Sequence, residues 1–343
     1  MNRRLFNQGR GLRNTTRWAR LAVLAAGLSA CQPPTQPEAV TGSSLAVDQS
    51  EGAMDAPADD VEQLDEKVVN QAARHFSGLR VADKLKLNEE ELVSYLASAD
   101  AICVGERHNS ALDHYAQLQV LRGLADRREL RGFELGLALE MVTLGSQHAL
   151  NEYLAGRSER EQFLLETDWN HNWGFPIQLY DPLLLEASYE GVRGLAIGVP
   201  RQLSHFIAME GLAALSGPVR RKIPELDLGN QEHRKLFESL MGDHPLPEGT
   251  TLDHFYEAQV VWDESMARSS RQWLLEHRPL RKLVIFAGIA HCHRSAIPSR
   301  LERENDLVVV NLITADKQPN QSDPVDSVSQ LLYDGYEYQI VFE

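Results

Sequence analysis

Cysteine is scarce in this chain: three in 343 residues, at positions Cys31, Cys103 and Cys292. That excludes a disulfide-scaffolded mini-fold and a four-thiolate zinc module. Basic charge is also short, with 34 Lys and Arg against 49 Asp and Glu and a net charge of −15. Six arginines (Arg3, Arg4, Arg10, Arg13, Arg17, Arg20) crowd residues 1–30, which hold no acid, so the remainder carries −21. A body this acidic repels phosphate backbones and anionic headgroups, which argues against nucleic acid as a partner. No long internal repeat is present. The apolar run of the leader, Leu21–Ala30, has ten residues, against the roughly 20 that a membrane-spanning helix needs. What remains is an ordinary globular composition, 43% apolar and 24% charged, long enough to bury a large core.

The leader itself reads as a signal peptide, an arginine-rich stretch before a short apolar segment. Leu28-Ser29-Ala30-Cys31 looks like a bacterial lipobox, which predicts Cys31 as the acylated N-terminus of the mature chain. Arg3-Arg4-Leu5-Phe6 faintly resembles a twin-arginine export signal. Gln32, in place of Asp, after the cysteine points to the outer membrane, facing the periplasm. Acyl chains contribute roughly 0.8 kcal/mol per buried methylene, so several together anchor firmly. The predicted organisation is a signal peptide over 1–30, a flexible Pro-, Ser-, Gly- and Asp-rich tether over 31–60, and one folded domain over 61–343.

Within that domain the chain is organised around Ala101-Ile102-Cys103-Val104-Gly105-Glu106-Arg107-His108. Four apolar residues predict a buried strand, and glycine then turns the chain into Glu-x-His. Ser110 with Asp113 predicts a helix start, and Leu112, Tyr115, Leu118, Leu121 and Leu124 form its apolar stripe. The same design returns at Leu283–Ala287, followed by Gly288-Ile-Ala-His291. Side chains at the carboxyl ends of parallel strands are where open α/β sheets bind ligands. A third strand, Gly136–Met141, ends in Glu140, a carboxylate too costly to bury without a partner. A fourth, Gly194–Val199, is closed by Pro200-Arg201; Arg201 could bind a carboxylate or simply begin a surface helix.

Further helices are predicted around Val61–Phe76, at Glu89–Ala97 after the Asn88 cap with Glu91, across 144–185, and at Leu252–Glu276 capped by Thr250. In the last, Phe255, Ala258, Trp262, Met266 and Trp273 make a core stripe, with Asp263 beside it as a polar residue in need of a partner. His148 and His171 read as surface or packing residues. Cys103 and Cys292 flank the two glycine turns; each reads as a buried free thiol, with an approach of the two to each other as the alternative if their strands are neighbours. Asp334-Gly335 predicts a closing hairpin between Leu331–Tyr333 and Tyr336–Phe342. The alternation predicts an α/β fold, a mostly parallel sheet flanked by helices with helical insertions.

Five ordered motifs carry a resemblance. Val104-Gly-Glu-Arg-His108 with His114, Ala138-Leu-Glu140-Met, Val199-Pro-Arg201, Ala258-Gln259 with Asp263-Glu-Ser-Met266-Ala, and Gly288-Ile-Ala-His291 span about residues 79–313. This pattern resembles the ChaN-type haem-binding lipoproteins of the Tiki superfamily, whose wider group includes TraB proteins and erythromycin esterases. The resemblance implies a ChaN/Tiki-like fold, haem as ligand, a link to iron uptake, and Glu106, His108, His114, Glu140, Arg201, Asp263 and His291 as ligand-binding residues. Membrane contact would be through the lipid anchor only, and a homodimer is allowed. Tyr115, Tyr180, Tyr189 and Tyr256 are candidate iron ligands by type alone. The alternative is a hydrolase, with His108, Glu140 and His291 holding a divalent metal such as zinc, or His108 acting as a metal-free base oriented by Glu106, with His291 alongside.

Overall fold

Ala101-Ile102-Cys103-Val104 lies in β3 (Ala101–Glu106), every residue of which is buried. A strand apolar on both faces belongs inside a parallel sheet covered on both sides, and the computed structural model places it there. Residues 75–242, 245–303, 306–315 and 327–342 are described. The predicted signal peptide, the lipidation site Cys31, the tether and most of the predicted Val61–Phe76 helix lie outside them. At its end, Phe76 starts a strand and not a helical turn.

The other strands are β1 (Phe76–Arg80), β2 (Lys86–Leu87), β4 (Glu134–Thr143), β5 (Arg193–Gly198), β6 (Arg281–Gly288), β7 (Val309–Thr314) and β8 (Tyr338–Phe342). They form one sheet in the order β2-β1-β8-β7-β3-β6-β4-β5. From β8 to β5 every pairing is parallel, and only β1 runs antiparallel, to β2 and to β8. Residues alternate between two cores. Ile102, Val104, Leu137, Leu139, Val284 and Phe286 face one; Ala101, Cys103, Ala138, Leu283, Ile285 and Ala287 face the other.

The first core is covered by α1 (Glu89–Leu96), α2 (Ala111–Arg131), α3 (Gln147–Leu154), α4 (Arg160–Thr167), α5 (Trp169–Asn172) and α6 (Asp181–Glu190). Asn88 and Glu91 close the expected capping box on α1. Ser110 caps α2 by accepting from the Asp113 N–H, and Gly132 ends it at φ 70°, a left-handed position that favours glycine. Next come α7 (Arg201–Glu210), α8 (Gly217–Arg220), α9 (Gln231–Met241), α10 (Leu252–Glu276), α11 (Ile289–Cys292), α12 (Ile297–Glu302) and α13 (Ser327–Asp334). Helices α10 and α12 cover the second core through Met266, Trp273, Ile297 and Leu301. The cap of α10 is Thr251, one residue later than expected, while the Thr250 hydroxyl donates to the Pro247 carbonyl. Among the described residues no helix is long and apolar enough to cross a membrane.

Two expectations are corrected. Leu331–Tyr333 lies in α13, and Tyr338–Phe342 runs parallel to β7, so there is no closing hairpin. Asp-Gly also ends helices, and here the Gly335 N–H bonds to the Leu332 carbonyl while the His293 ring lies against Gly335 where a side chain would be. Cys103 and Cys292 are not free thiols but a disulfide, with Cα atoms 5.4 Å apart. Both side chains belong to the second core, because α11 turns back from β6 toward its neighbour β3.

Candidate functional site

Glu106 is the last residue of β3, and its carboxylate is wholly buried on the first-core side. Three neighbours hold it. His108 Nδ1 is 2.9 Å from Oε1, the Tyr180 hydroxyl donates to Oε1 at 2.7 Å, and Gln117 Nε2 donates to Oε2 at 2.7 Å. His114 Nδ1 adds a 3.6 Å contact, and its Nε2 lies 3.0 Å from the His108 carbonyl. Burial alone would push the Glu106 carboxyl up; His114, His108 and Tyr180 outweigh it and hold it at about 2. Burial and the same carboxylate push the Tyr180 phenol well above its ordinary range, so it stays protonated.

The turn carrying His108 is pinned from the side. Asp113, expected only to help start α2, accepts from the Arg107 backbone N–H at 2.8 Å and from its guanidinium at 2.8 and 2.7 Å. That forked grip fixes the orientation of the turn. His108 itself is partly exposed, 29% of its side chain, and stands against Trp173 and Phe175 with ring centroids 4.7 and 5.0 Å away.

A second cluster approaches from the other face. Glu140 sits where the β4–β5 register shifts between Leu139 and Thr143, and such irregularities re-aim side chains. Gly198 permits the shift, because a side chain there would strike the Glu140 carbonyl. Glu140 Oε2 accepts the Gly288 N–H at 2.7 Å, and Oε1 lies 3.2 Å from His291 Nε2. His291 Nδ1 is 2.7 Å from Asp263 Oδ1. Burial pushes the His291 imidazole down, but the two carboxylates raise it to about 10; it is a cation between two anions. Burial works equally against Glu140 and Asp263, yet His291 keeps both below the ordinary carboxylate range.

The clusters meet at Gly288. A Cβ there would lie 2.9 Å from His108 Cε1 and 3.6 Å from His291 Cδ2, so the two imidazoles face one another across a residue that has no side chain. His108 responds to both sides: burial lowers it, and Glu106 and Glu140 overcome that and raise it.

Glu106, His108, Glu140 and His291, from motifs read at strand ends, thus come together with His114 from α2 and Asp263 from α10. Arg201 opens α7 and is exposed, with no ion pair among the described residues. His148 and His171 are exposed. Tyr115, Tyr180 and Tyr256 are buried and Tyr189 is 70% exposed. Trp262, expected as core only, packs on His291 at 5.4 Å. Gln117 and His233 joined the site without a signal, because nothing local distinguishes them from other helical polar residues, while Tyr180, a candidate by type alone, reaches it from the turn before α6. A metal set of His108, Glu140 and His291 does not form. Both His291 nitrogens are engaged by carboxylates, and no three His, Cys, Asp or Glu among the described residues are arranged to hold a metal ion.

The chain matches the family model described as "Haem-binding uptake, Tiki superfamily, ChaN" over residues 92–301. The protein titled "Cofacial heme binding to ChaN of Campylobacter jejuni" shares the fold, with a TM-score of 0.60 and 18% identity over 78% of this chain and 97% of that one. An erythromycin esterase mutant, EreC in its open conformation, aligns at a TM-score of 0.40 with 14% identity over 78% of this chain and 82% of that one. In Arabidopsis thaliana, the chloroplastic protein RETICULATA-RELATED 5 is 27% identical over 66% of this chain, which spans 31% of that protein's length. With the family model covering more than half of its length, the chain belongs to the ChaN family of haem-binding uptake proteins within the Tiki superfamily.

Proposed function

We propose that the cleft over Gly288 is a haem site and that the protein takes part in haem or iron uptake. The observation that carries this is the partly exposed imidazole of His108, held on its Nδ1 side by buried Glu106 and walled by Trp173 and Phe175. Haem supplies a large apolar plate around an iron, and most of its affinity comes from apolar contact. Trp173 and Phe175 offer that contact, with His108 as the polar group at its edge. Three of the four tyrosine candidates are enclosed: Tyr115 packs on Phe342, Tyr180 gives its hydroxyl to Glu106, and Tyr256 faces His233. The expected Cys31 acylation would hold this domain at the outer membrane, facing the periplasm.

Titrating the purified chain with haemin tests the reading. A Soret shift saturating near one haemin per chain supports it, with weaker binding in Trp173→Ala than in His108→Ala. A titration without saturation overturns it. The Glu106–His108 pair also suits a second reading, a metal-free general base for hydrolysis; ester or peptide hydrolysis abolished by His108→Ala, together with no saturable haemin binding, would favour that instead. For the anchor, Cys31→Ala should move the protein from the membrane fraction to the soluble one, or leave it unprocessed. Unchanged partitioning would remove the lipoprotein reading.

A further inference from the structure

His233 belongs to no motif and stands behind the cleft, yet it is 1% exposed and tied into the site. It projects from α9, and its Nε2 lies 2.9 Å from Asp263 Oδ2. The other oxygen of Asp263 is the one facing His291, at 2.7 Å. One carboxylate therefore serves two imidazoles, one per oxygen.

The surroundings of His233 decide which nitrogen carries its hydrogen. Its Nδ1 faces the Tyr256 hydroxyl at 3.2 Å and the Arg300 guanidinium at 3.5 Å. A guanidinium can only donate, so Nδ1 is the acceptor and the hydrogen sits on Nε2, the nitrogen 2.9 Å from Asp263 Oδ2 but off the line of a hydrogen bond. Arg300 has little freedom to change this. It is 2% exposed, donates to the Ser295 and Ala296 carbonyls at 2.9 Å each, and pairs with Glu264 at 3.2 Å.

We propose that His233 is a positioning residue of the site: its Nε2–H, set beside Oδ2, holds Asp263 as a carboxylate turned toward His291, and so keeps His291 a cation beside Glu140. The groups facing His291 are Asp263, Gln259 and Trp262 from α10, Glu140 from β4, and His108 across Gly288. Those bearing on Asp263 are His291, His233 and Arg300. Removing His233 takes away the polar N–H that stands 2.9 Å from the otherwise unpartnered Oδ2, which favours the charged form of Asp263 less. The cation it supports at His291 is then weaker. This holds whatever the cleft binds, so it can fail while the haem reading stands, and the reverse.

Imidazole nitrogen shifts of the full-length protein labelled with 15N-histidine test it, in the wild type and in His233→Gln and His233→Leu. In the wild type, His233 should show the Nε2–H tautomer, and His291 should remain doubly protonated to about pH 8. Glutamine can still donate to Asp263, so His233→Gln should leave the His291 midpoint within about half a unit of wild type. His233→Leu should lower it by about one unit or more. The same His291 midpoint in all three proteins overturns the proposal, and so does a Gln variant shifted as far as the Leu variant. If neither variant folds, the wild-type spectrum decides. A His233 that is doubly protonated, or that carries its hydrogen on Nδ1, overturns the proposal on its own.

Discussion

A single hydrogen atom separates the two halves of this site. Gly288 presents one where any other residue has a carbon, and that carbon would come within 2.9 Å of His108 Cε1. Gly288→Ala therefore has to displace the His108 ring or bend the end of β6. The expected cost is about 1–3 kcal/mol of stability, typical of overpacking, with haemin affinity reduced more than tenfold. Gly145→Ala is the control, since a side chain there meets nothing within 4 Å, and it should change neither. Equal haemin binding by both variants, measured by Soret titration, would show that the imidazole pair does not form part of the ligand site.

Among the elements, the short α11 is the one held by most ties. It hangs between the Gly288 turn and the Cys292 disulfide, the Asn311 amide donates to the Cys292 carbonyl at 2.9 Å, and the Tyr336 hydroxyl bonds the Ile289 carbonyl. The covalent tie spans 189 residues of sequence, a separation for which chain entropy alone gives about 5 kcal/mol. The double variant Cys103→Ala/Cys292→Ala should unfold at a correspondingly lower urea midpoint, and its His291 should titrate more like a free imidazole. Equal urea midpoints would show that the tie contributes little. Element by element, what was legible in the chain was what local chemistry writes. The Asn88–Glu91 box, the Ser110 start and the bounds of α10 each depend on residues within one turn. Asp334-Gly335 misled because two local structures share that dipeptide, and the choice fell to His293, brought in from 42 positions earlier in the chain. The site divides the same way. Glu106, Glu140 and His291 announce themselves as polar residues in or just after apolar strands, whereas Gln117 and His233 arrive on helices whose approach is set by packing.

For the whole molecule, the buried charges set a pH window. Glu106 is depressed from 4.5 to about 2, so its contribution is complete above about 4.5 and is lost as pH falls through about 2; the depressed Glu140 and Asp263 act in the same sense. His291 is raised from 6.5 to about 10, so its contribution is complete below about 6.5 and is lost as pH rises through about 10. Burial lowers His293 from 6.5 to about 4, so its contribution is complete above about 6.5 and is lost as pH falls through about 4; stability should thus be greatest near pH 6.5 and decline on both sides. Urea midpoints across pH 3–10 would check this, and a midpoint still climbing above about pH 8 would contradict the charge assignment at His291. Strand order has a further consequence, for the birth of the protein. Both sheet neighbours of β3, β6 and β7, come from the last quarter of the chain. As the polypeptide emerges, β3 has two open edges until residue 281 and beyond have been made, and such apolar edges recruit other chains. A chain cut at residue 280 should aggregate in a sedimentation assay rather than persist as half a protein. The site, whose halves are delivered by the ends of β3 and β6, comes into existence only when synthesis is nearly over.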